Sequence, residues 1–186
     1  QFIALARELG VPSFCDAATT TPPALNIIDG VNEGFDLICY SGGKGLRGPY
    51  SAGLLLGRED LIRFARRHAA PNDTSIGRGM KVSAEEYLGM LVGLETGLRI
   101  SEADDLAYKG KRFDVIVNAI QDIPGVVTKV FINEGHAKEL YLDIDWDADL
   151  IDLSRDNFVQ ALRDHSPSVE IRLMLFSGGR IQLSAT

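Results

Sequence analysis

The stretch Phe35-Asp-Leu-Ile-Cys-Tyr-Ser-Gly-Gly-Lys-Gly-Leu-Arg-Gly-Pro49 decides how this chain is read. Its opening, Phe35 to Tyr40, is an apolar run that reads as a strand. The run ends in glycines that at once present a single lysine, Lys44. A lysine held at a strand end, with backbone free to crowd around it, is a natural anchor for a carbonyl cofactor. A second apolar run, Val11-Pro-Ser-Phe-Cys15, ends in Asp16-Ala17-Ala18. Two strand ends that each deliver an ionisable group predict a site at the carboxyl edge of a sheet.

Around this stretch the first part of the chain reads as α/β. Residues 1–9 form a helical pattern that stops at Gly10. Strands are expected at 11–15, 35–40 and 51–56, with Thr19 to Pro23 in a loop. All three are short continuous apolar runs, the pattern of strands buried on both faces. Glu59 and Asp60 open a helix with acids in its first turn, where the helix dipole favours them. Pro71 to Lys81 is a polar loop. Ser83 with Glu85 and Glu86 then starts a helix whose apolar face carries Tyr87, Met90, Leu91, Leu94 and Leu98. Gly89, Gly93 and Gly97 recur every four residues on another face of it. Glycine inside a helix costs about 1 kcal/mol relative to alanine, so three in register predict close approach of another backbone, within the chain or from a second subunit.

The remainder reads as α+β: a helix over 104–121 with Leu106, Phe113, Ile116, Val117 and Ile120 inward, a stop at Asp122 to Gly125, then strands at 126–132 and 139–145. A helix over 154–164 leads to a final hairpin, 169–176 and 180–184. The expected division is a large α/β domain over 1–108 and a small α+β domain over 109–186.

Composition bounds the function. The 186 residues are 45% apolar and carry a net charge of −7. That balance disfavours nucleic-acid binding, which needs a basic surface. No apolar run approaches the roughly 20 residues needed to span a bilayer, so no membrane role is expected. Arg63, Arg66, Arg67 and His68 cluster locally, but on a helical pattern such charges form a solvated face. Cys15 and Cys39, each in an expected buried strand, make no disulfide framework and lack metal-ligand spacing, which points to a reducing, cytoplasmic compartment.

Lys44 has three readings on spacing alone: a solvated loop lysine, a phosphate-binding lysine, or a Schiff-base lysine. The phosphate-loop pattern requires a hydroxyl residue after the lysine, and no such residue follows Lys44. Pyridoxal phosphate requires a lysine for its aldehyde, an anion for its ring nitrogen and donors for its phosphate. Lys44, Asp16 and Ser41 with its glycines supply those types, and spacing leaves this reading level with its rivals.

Asp16-Ala-Ala18, Asp36-Leu-Ile, Ser41-Gly-Gly-Lys-Gly-Leu-Arg-Gly-Pro49, Gly53-Leu-Leu-Leu-Gly-Arg58 and Gly77-Arg-Gly-Met-Lys-Val82 with Glu85-Glu86 carry a resemblance. Together they resemble the selenocysteine-synthase-like family of fold-type-I pyridoxal-phosphate enzymes, related to L-seryl-tRNA selenium transferase and including ammonia-lyases of amino-sugar acids. The resemblance extends to Pro167-Ser-Val-Glu-Ile-Arg172. It implies an aspartate-aminotransferase-like fold: the later part of the cofactor-binding large domain followed by the small domain. It implies pyridoxal 5'-phosphate as cofactor, with Lys44 forming the internal aldimine and serving as base and acid at the substrate α-carbon. Asp16 would pair with the pyridine nitrogen, Ala18 would lie against the ring, and Ser41 would bind the phosphate. Arg78 and Arg172 would hold anionic groups of an amino-acid or amino-sugar-acid substrate, Arg172 as a bidentate carboxylate clamp; Arg47 and Lys81 are weaker candidates. A homodimer or higher homo-oligomer is implied. The implied reaction is α-proton abstraction and β-elimination with release of ammonia, with selenium or sulfur transfer as the alternative within the class. A non-catalytic domain that keeps the architecture is the rival outside it.

The chain opens at Gln1 inside a helical pattern, and the family's glycine-rich phosphate loop and ring-stacking residue are not visible. A truncated enzyme, inactive by itself, is therefore expected. Asp143-x-Asp145-x-Asp147-x-Asp149 imitates a calcium loop, but Ala148 and Ser154 stand where the turn glycine and the bidentate glutamate belong. Exposed aspartates alternating at a strand end are the better reading. His68, His136 and His165 are scattered surface residues.

Overall fold

The computed structural model describes residues 1–133, 135, 137–171 and 180–184. It divides into two compact units, 1–101 with 135–138, and 102–134 with 139–186. In the first, α1 (Phe2–Glu8) precedes β1 (Phe14–Asp16), α2 (Asn26–Asn32), β2 (Leu37–Ser41), β3 (Gly53–Gly57), α3 (Glu59–Arg67) and α4 (Ala84–Arg99). The second holds α5 (Glu102–Ile120), β4 (Val126–Ile132), β5 (Leu140–Trp146), α6 (Arg155–Asp164) and β6 (Ile181–Ser184). The whole of α5 therefore lies in the second unit, whereas the sequence places the division between 108 and 109. Among the described residues no helix is long and apolar enough to cross a membrane.

The sheet of the first unit runs β1-β2-β3. Strands β1 and β2 are parallel, with Asp16 opposite Cys39, and β2 and β3 are antiparallel, with Ser41 opposite Gly53. The parallel pair is closed by α2, the crossover that such a connection needs. That helix is absent from the sequence reading, although Ala24, Ile27, Ile28 and Val31 have helical spacing; the prolines at 22 and 23 read there as loop. It sits so close that a Cβ on Gly30 would fall 2.1 Å from the Tyr40 hydroxyl.

The expectation that all three strands are buried on both faces is not met. Side chains alternate across a sheet, and among the described residues only one face is packed against a core. Cys15, Ile38, Tyr40, Leu54 and Leu56 on that face join Ala24, Ile27, Leu46 and Met90 in one core. The other face carries Phe14, Asp16, Leu37, Cys39, Ser41 and Leu55; Phe14 is 55% exposed and Leu55 38%. Cys15 and Cys39 are accordingly half-buried, and both are free thiols. The antiparallel turn of β3 follows from its connection, the tight glycine-rich segment 42–52, which contains no crossover helix.

At the amino end of β2, Asp36 ties three elements together. It accepts from the Ser13 amide and hydroxyl, both at 2.8 Å, and from Arg58 Nη1 at 2.9 Å. The Ser13 amide above all, with Arg58 and the Ser13 hydroxyl, lowers its pKa to about 2.

The apolar face expected on α4 is only partly used. Met90 is buried and Leu94 packs on the core, but Tyr87, Leu91 and Leu98 are 60%, 60% and 41% exposed. The helix is held instead by its glycines. Gly93 faces the Leu46 carbonyl and the Gly48 backbone, Gly97 the Ala24 side chain, and Gly89 the Pro49 ring. Of the three glycines expected to meet a backbone, Gly93 does so, within the chain.

The second unit is an antiparallel sheet, β4-β5-β6, with Phe113 of α5 and Val159 of α6 in its core. Leu142 is fully buried at its centre. Ser154 caps α6 by accepting from the Asn157 amide. The aspartates of β5 differ from expectation: Asp143 is 7% exposed and accepts from Gln182 Nε2 at 2.8 Å, and Asp145 pairs with Arg155. Asp147 and Asp149 beyond the strand are exposed. The cross-strand partner Gln182 covers Asp143, whereas the Asp145 side chain remains 42% exposed. His68 and His165 are exposed, and His136 lies outside the described residues. The first arm of the expected terminal hairpin also falls largely outside them, while its second arm is β6.

Candidate active site

Parallel pairing brings the carboxyl ends of β1 and β2 side by side. Asp16 closes β1 and Ser41 closes β2, on the same face of the sheet. Ala17 continues the ladder by donating to the Cys39 carbonyl at 2.9 Å, which sets Ala18, half-buried, just beyond the strand end. Lys44 follows Ser41 in the glycine turn.

That turn is fixed from several sides by backbone. Gly42 donates to the Ala52 carbonyl at 3.0 Å and accepts from the Gly48 amide at 2.8 Å. Arg47 donates to the Lys44 carbonyl at 2.8 Å and adopts φ 54, a left-handed conformation uncommon for a residue with a Cβ. A Cβ on Gly45 would lie 2.3 Å from the Pro22 nitrogen, and one on Gly42 2.5 Å from the Ala52 carbonyl oxygen. Glycine is therefore required where the turn meets the 21–22 segment and β3. Leu46, 2% exposed, plugs the turn into the core. Just past it, Ser51 donates to Glu86, whose other carboxylate oxygen accepts from the Ser83 amide at 2.7 Å and closes the amino end of α4. The Ser51 hydroxyl, ahead of the Ser83 contacts, lowers the Glu86 pKa.

The chemical groups at this edge are uncommitted. The Lys44 side chain is exposed and has no described hydrogen bond or ion pair, and the Ser41 hydroxyl likewise has none. Among the described residues the amides of Gly43, Lys44 and Gly45 donate to nothing. Asp16 accepts through Oδ1 from the Ala18 amide at 3.0 Å and from the Cys39 thiol at 3.8 Å. An amine, a carboxylate, a hydroxyl and free amides at one sheet edge can together hold an aldehyde that also bears a basic ring nitrogen and a phosphate. The donor set fits that group.

Arg78 lies on the polar loop after α3. Its loop is pinned to the end of α3, where Gly77 donates to the His68 carbonyl at 2.7 Å. Its described partner is Asp73 at 3.5 Å, an exposed pair of little energetic weight. No described contact links it to Asp16, Ser41 or Lys44. Arg172 lies outside the described residues. Two groups at the site are missing from the sequence reading. Cys39 is one; its spacing of two from Ser41 is the signal that puts those two on one face, and only the register with β1 brings Asp16 to it. Ser51, as partner of Glu86, is the other, and only tertiary structure shows it.

No family model matches the chain. A solved structure of D-glucosaminate-6-phosphate ammonia-lyase is similar over 98% of this chain and 46% of its own, at TM-score 0.74 and 21% identity. What the two share is the fold. At the level of sequence, 126 residues, 68% of the chain, are 32% identical to 5'-C-glycyluridine monooxygenase-decarboxylase from Streptomyces sp., of which they cover 29%. The chain thus spans about half the length of the first protein and under a third of the second.

Proposed function

We propose that this chain carries the pyridoxal 5'-phosphate site of an enzyme acting on an α-amino acid or amino-sugar acid. The observation that supports the reading is that β1 ends at Asp16 and its parallel neighbour β2 at Ser41, with Lys44 three residues further along the chain, and that the amine, the hydroxyl and Asp16 Oδ2 have no described partners. Lys44 would hold the cofactor aldehyde, Asp16 would pair with the ring nitrogen, Ala18 would lie against the ring, and Ser41 with the turn amides would bind the phosphate. When bound, the cofactor supplies an electron-accepting ring, whose nitrogen the Asp16 carboxylate keeps protonated. Once the substrate amine has taken its place at the aldehyde, the freed Lys44 amine would take the α-proton, the β-substituent would leave with a proton, and water would hydrolyse the resulting enamine to a keto acid and ammonia. Arg78 and Arg172 hold anionic groups of the substrate.

The ammonia-lyase fold supports elimination. The names of both similar proteins denote an α-amino acid, which supports chemistry at an α-carbon bearing nitrogen. A second reading, cleavage of the α-carboxylate with oxygen as co-substrate, is favoured by the 32% identity to the monooxygenase-decarboxylase. Selenium or sulfur transfer shares the first steps and rests on the sequence resemblance alone. The cytoplasm and a homo-oligomer are the setting that resemblance implies.

The test is spectroscopic. Titrating the purified protein, as the full natural chain, with pyridoxal phosphate should produce the near-visible absorbance of a lysine-bound cofactor, absent in Lys44→Ala. No band in wild type, or an unchanged band in the variant, would exclude the assignment and leave the non-catalytic rival standing. Product analysis with candidate amino acids then separates ammonia from carbon dioxide.

A further inference from the structure

Asp16 receives both of its described hydrogen bonds on one oxygen. The Ala18 amide and the Cys39 thiol converge on Oδ1, at 3.0 and 3.8 Å, while Oδ2 has no described donor. A carboxylate oxygen that accepts from one donor on β2 and one just beyond β1 holds its group in one orientation, so the second oxygen keeps one direction. We propose that Cys39 is a positioning residue, which fixes Asp16 so that Oδ2 is presented to the cationic N–H of the ligand. The inference rests on the functional reading above.

The placement is set by the fold. Parallel pairing puts Cys39 directly opposite Asp16, the Ala17 amide locks that pair by its 2.9 Å bond to the Cys39 carbonyl, and side chains of paired residues share a face. Burial, then the Asp16 charge, raises the thiol pKa, and the bond to Asp16 adds to this, against a lowering by the Ala17 amide; the other titratable group on it is Cys15. The thiol therefore remains a protonated donor at neutral pH.

Two measurements test it. In cofactor-free protein carrying Cys15→Ala, the pH midpoint of Cys39 alkylation by iodoacetamide should fall by about one unit when Asp16 becomes asparagine, since an adjacent carboxylate disfavours the thiolate. An unchanged midpoint overturns the contact whatever the cofactor does. In the second, pyridoxal phosphate affinity is read from the absorbance band. Cys39→Ala should weaken it about tenfold, and Cys39→Ser, which keeps a donor, should restore most of it. A wild-type band with equal affinity in Cys39→Ala overturns the positioning role alone. Absence of a band in wild type overturns the functional reading and this inference with it.

Discussion

Gly93 and Leu46 meet backbone to backbone: a Cβ at Gly93 would lie 2.8 Å from the Leu46 carbonyl oxygen and 3.3 Å from Gly48 Cα. This contact, midway along α4, sets how deep the lysine-bearing turn sits. On propensity alone Gly93→Ala would stabilise the helix by about 1 kcal/mol. Here the added methyl meets backbone that has no rotamer to yield, and overpacking costs about 1–3 kcal/mol. We expect a net loss of stability in denaturant melts, together with weakened cofactor binding. Alanine at Gly79, where nothing lies within 4 Å, should produce neither effect.

Lys44 itself should be dispensable for folding. It is exposed and lacks a described side-chain partner, so Lys44→Ala should change unfolding free energy by less than about 0.5 kcal/mol. The same variant should abolish the cofactor absorbance. A large drop in thermal midpoint would instead make Lys44 a structural residue.

Asp36 gives the chain an acid limit. Its folded pKa, about 2, lies below the ordinary 3.8. A depressed carboxylate contributes stability that is fully present above the unfolded value and is lost as pH falls through the folded one. Stability should therefore decline between about pH 4 and pH 2, and Asp36→Asn should flatten that slope while lowering stability at neutral pH. Urea melts at a series of pH values would show it.

In the second unit Lys109 is 2% exposed and pairs with Asp105 at 2.6 Å, one helical turn away. Removing one partner leaves a buried charge, so Asp105→Ala should destabilise by about 3–5 kcal/mol. Replacing both, Lys109→Met with Asp105→Leu, should recover most of that loss. Equal losses in the single and double variants would contradict the account.

Leu142 tests the core of the same unit. It is fully buried in the core it shares with Phe113 of α5 and Val159 of α6, so Leu142→Ala should cost about 2–5 kcal/mol. Leu142→Met should cost less than about 1.5 kcal/mol.

Periodicity and punctuation made most elements legible. Gly10, at φ 67, ends α1, and Gly125, at φ 84, follows the stop after α5; Ser83 opens α4 as its spacing from the glutamates suggests. What escaped was pairwise. Nothing local in Leu54 to Leu56 says that β3 returns antiparallel, or that one side of the sheet stays open. Asp143 reads as one of a row of surface acids until Gln182, distant along the chain, is brought beside it. For the site, the strand-end positions of Asp16, Ser41 and Lys44 could be anticipated from residue type. The bond between Cys39 and Asp16 needed the register of two strands, which no single segment encodes.

The clamp on the turn has an evolutionary consequence. Carbonyls, amides and α-carbons of Gly42, Gly45, Gly48 and Gly93 do much of the holding, with the buried side chains of Leu46 and Met90 packed against them. The address of Lys44 is thereby separated from the identity of the residues that would meet a substrate. Descendants of such a scaffold can exchange exposed residues elsewhere without having to rediscover where the amine belongs.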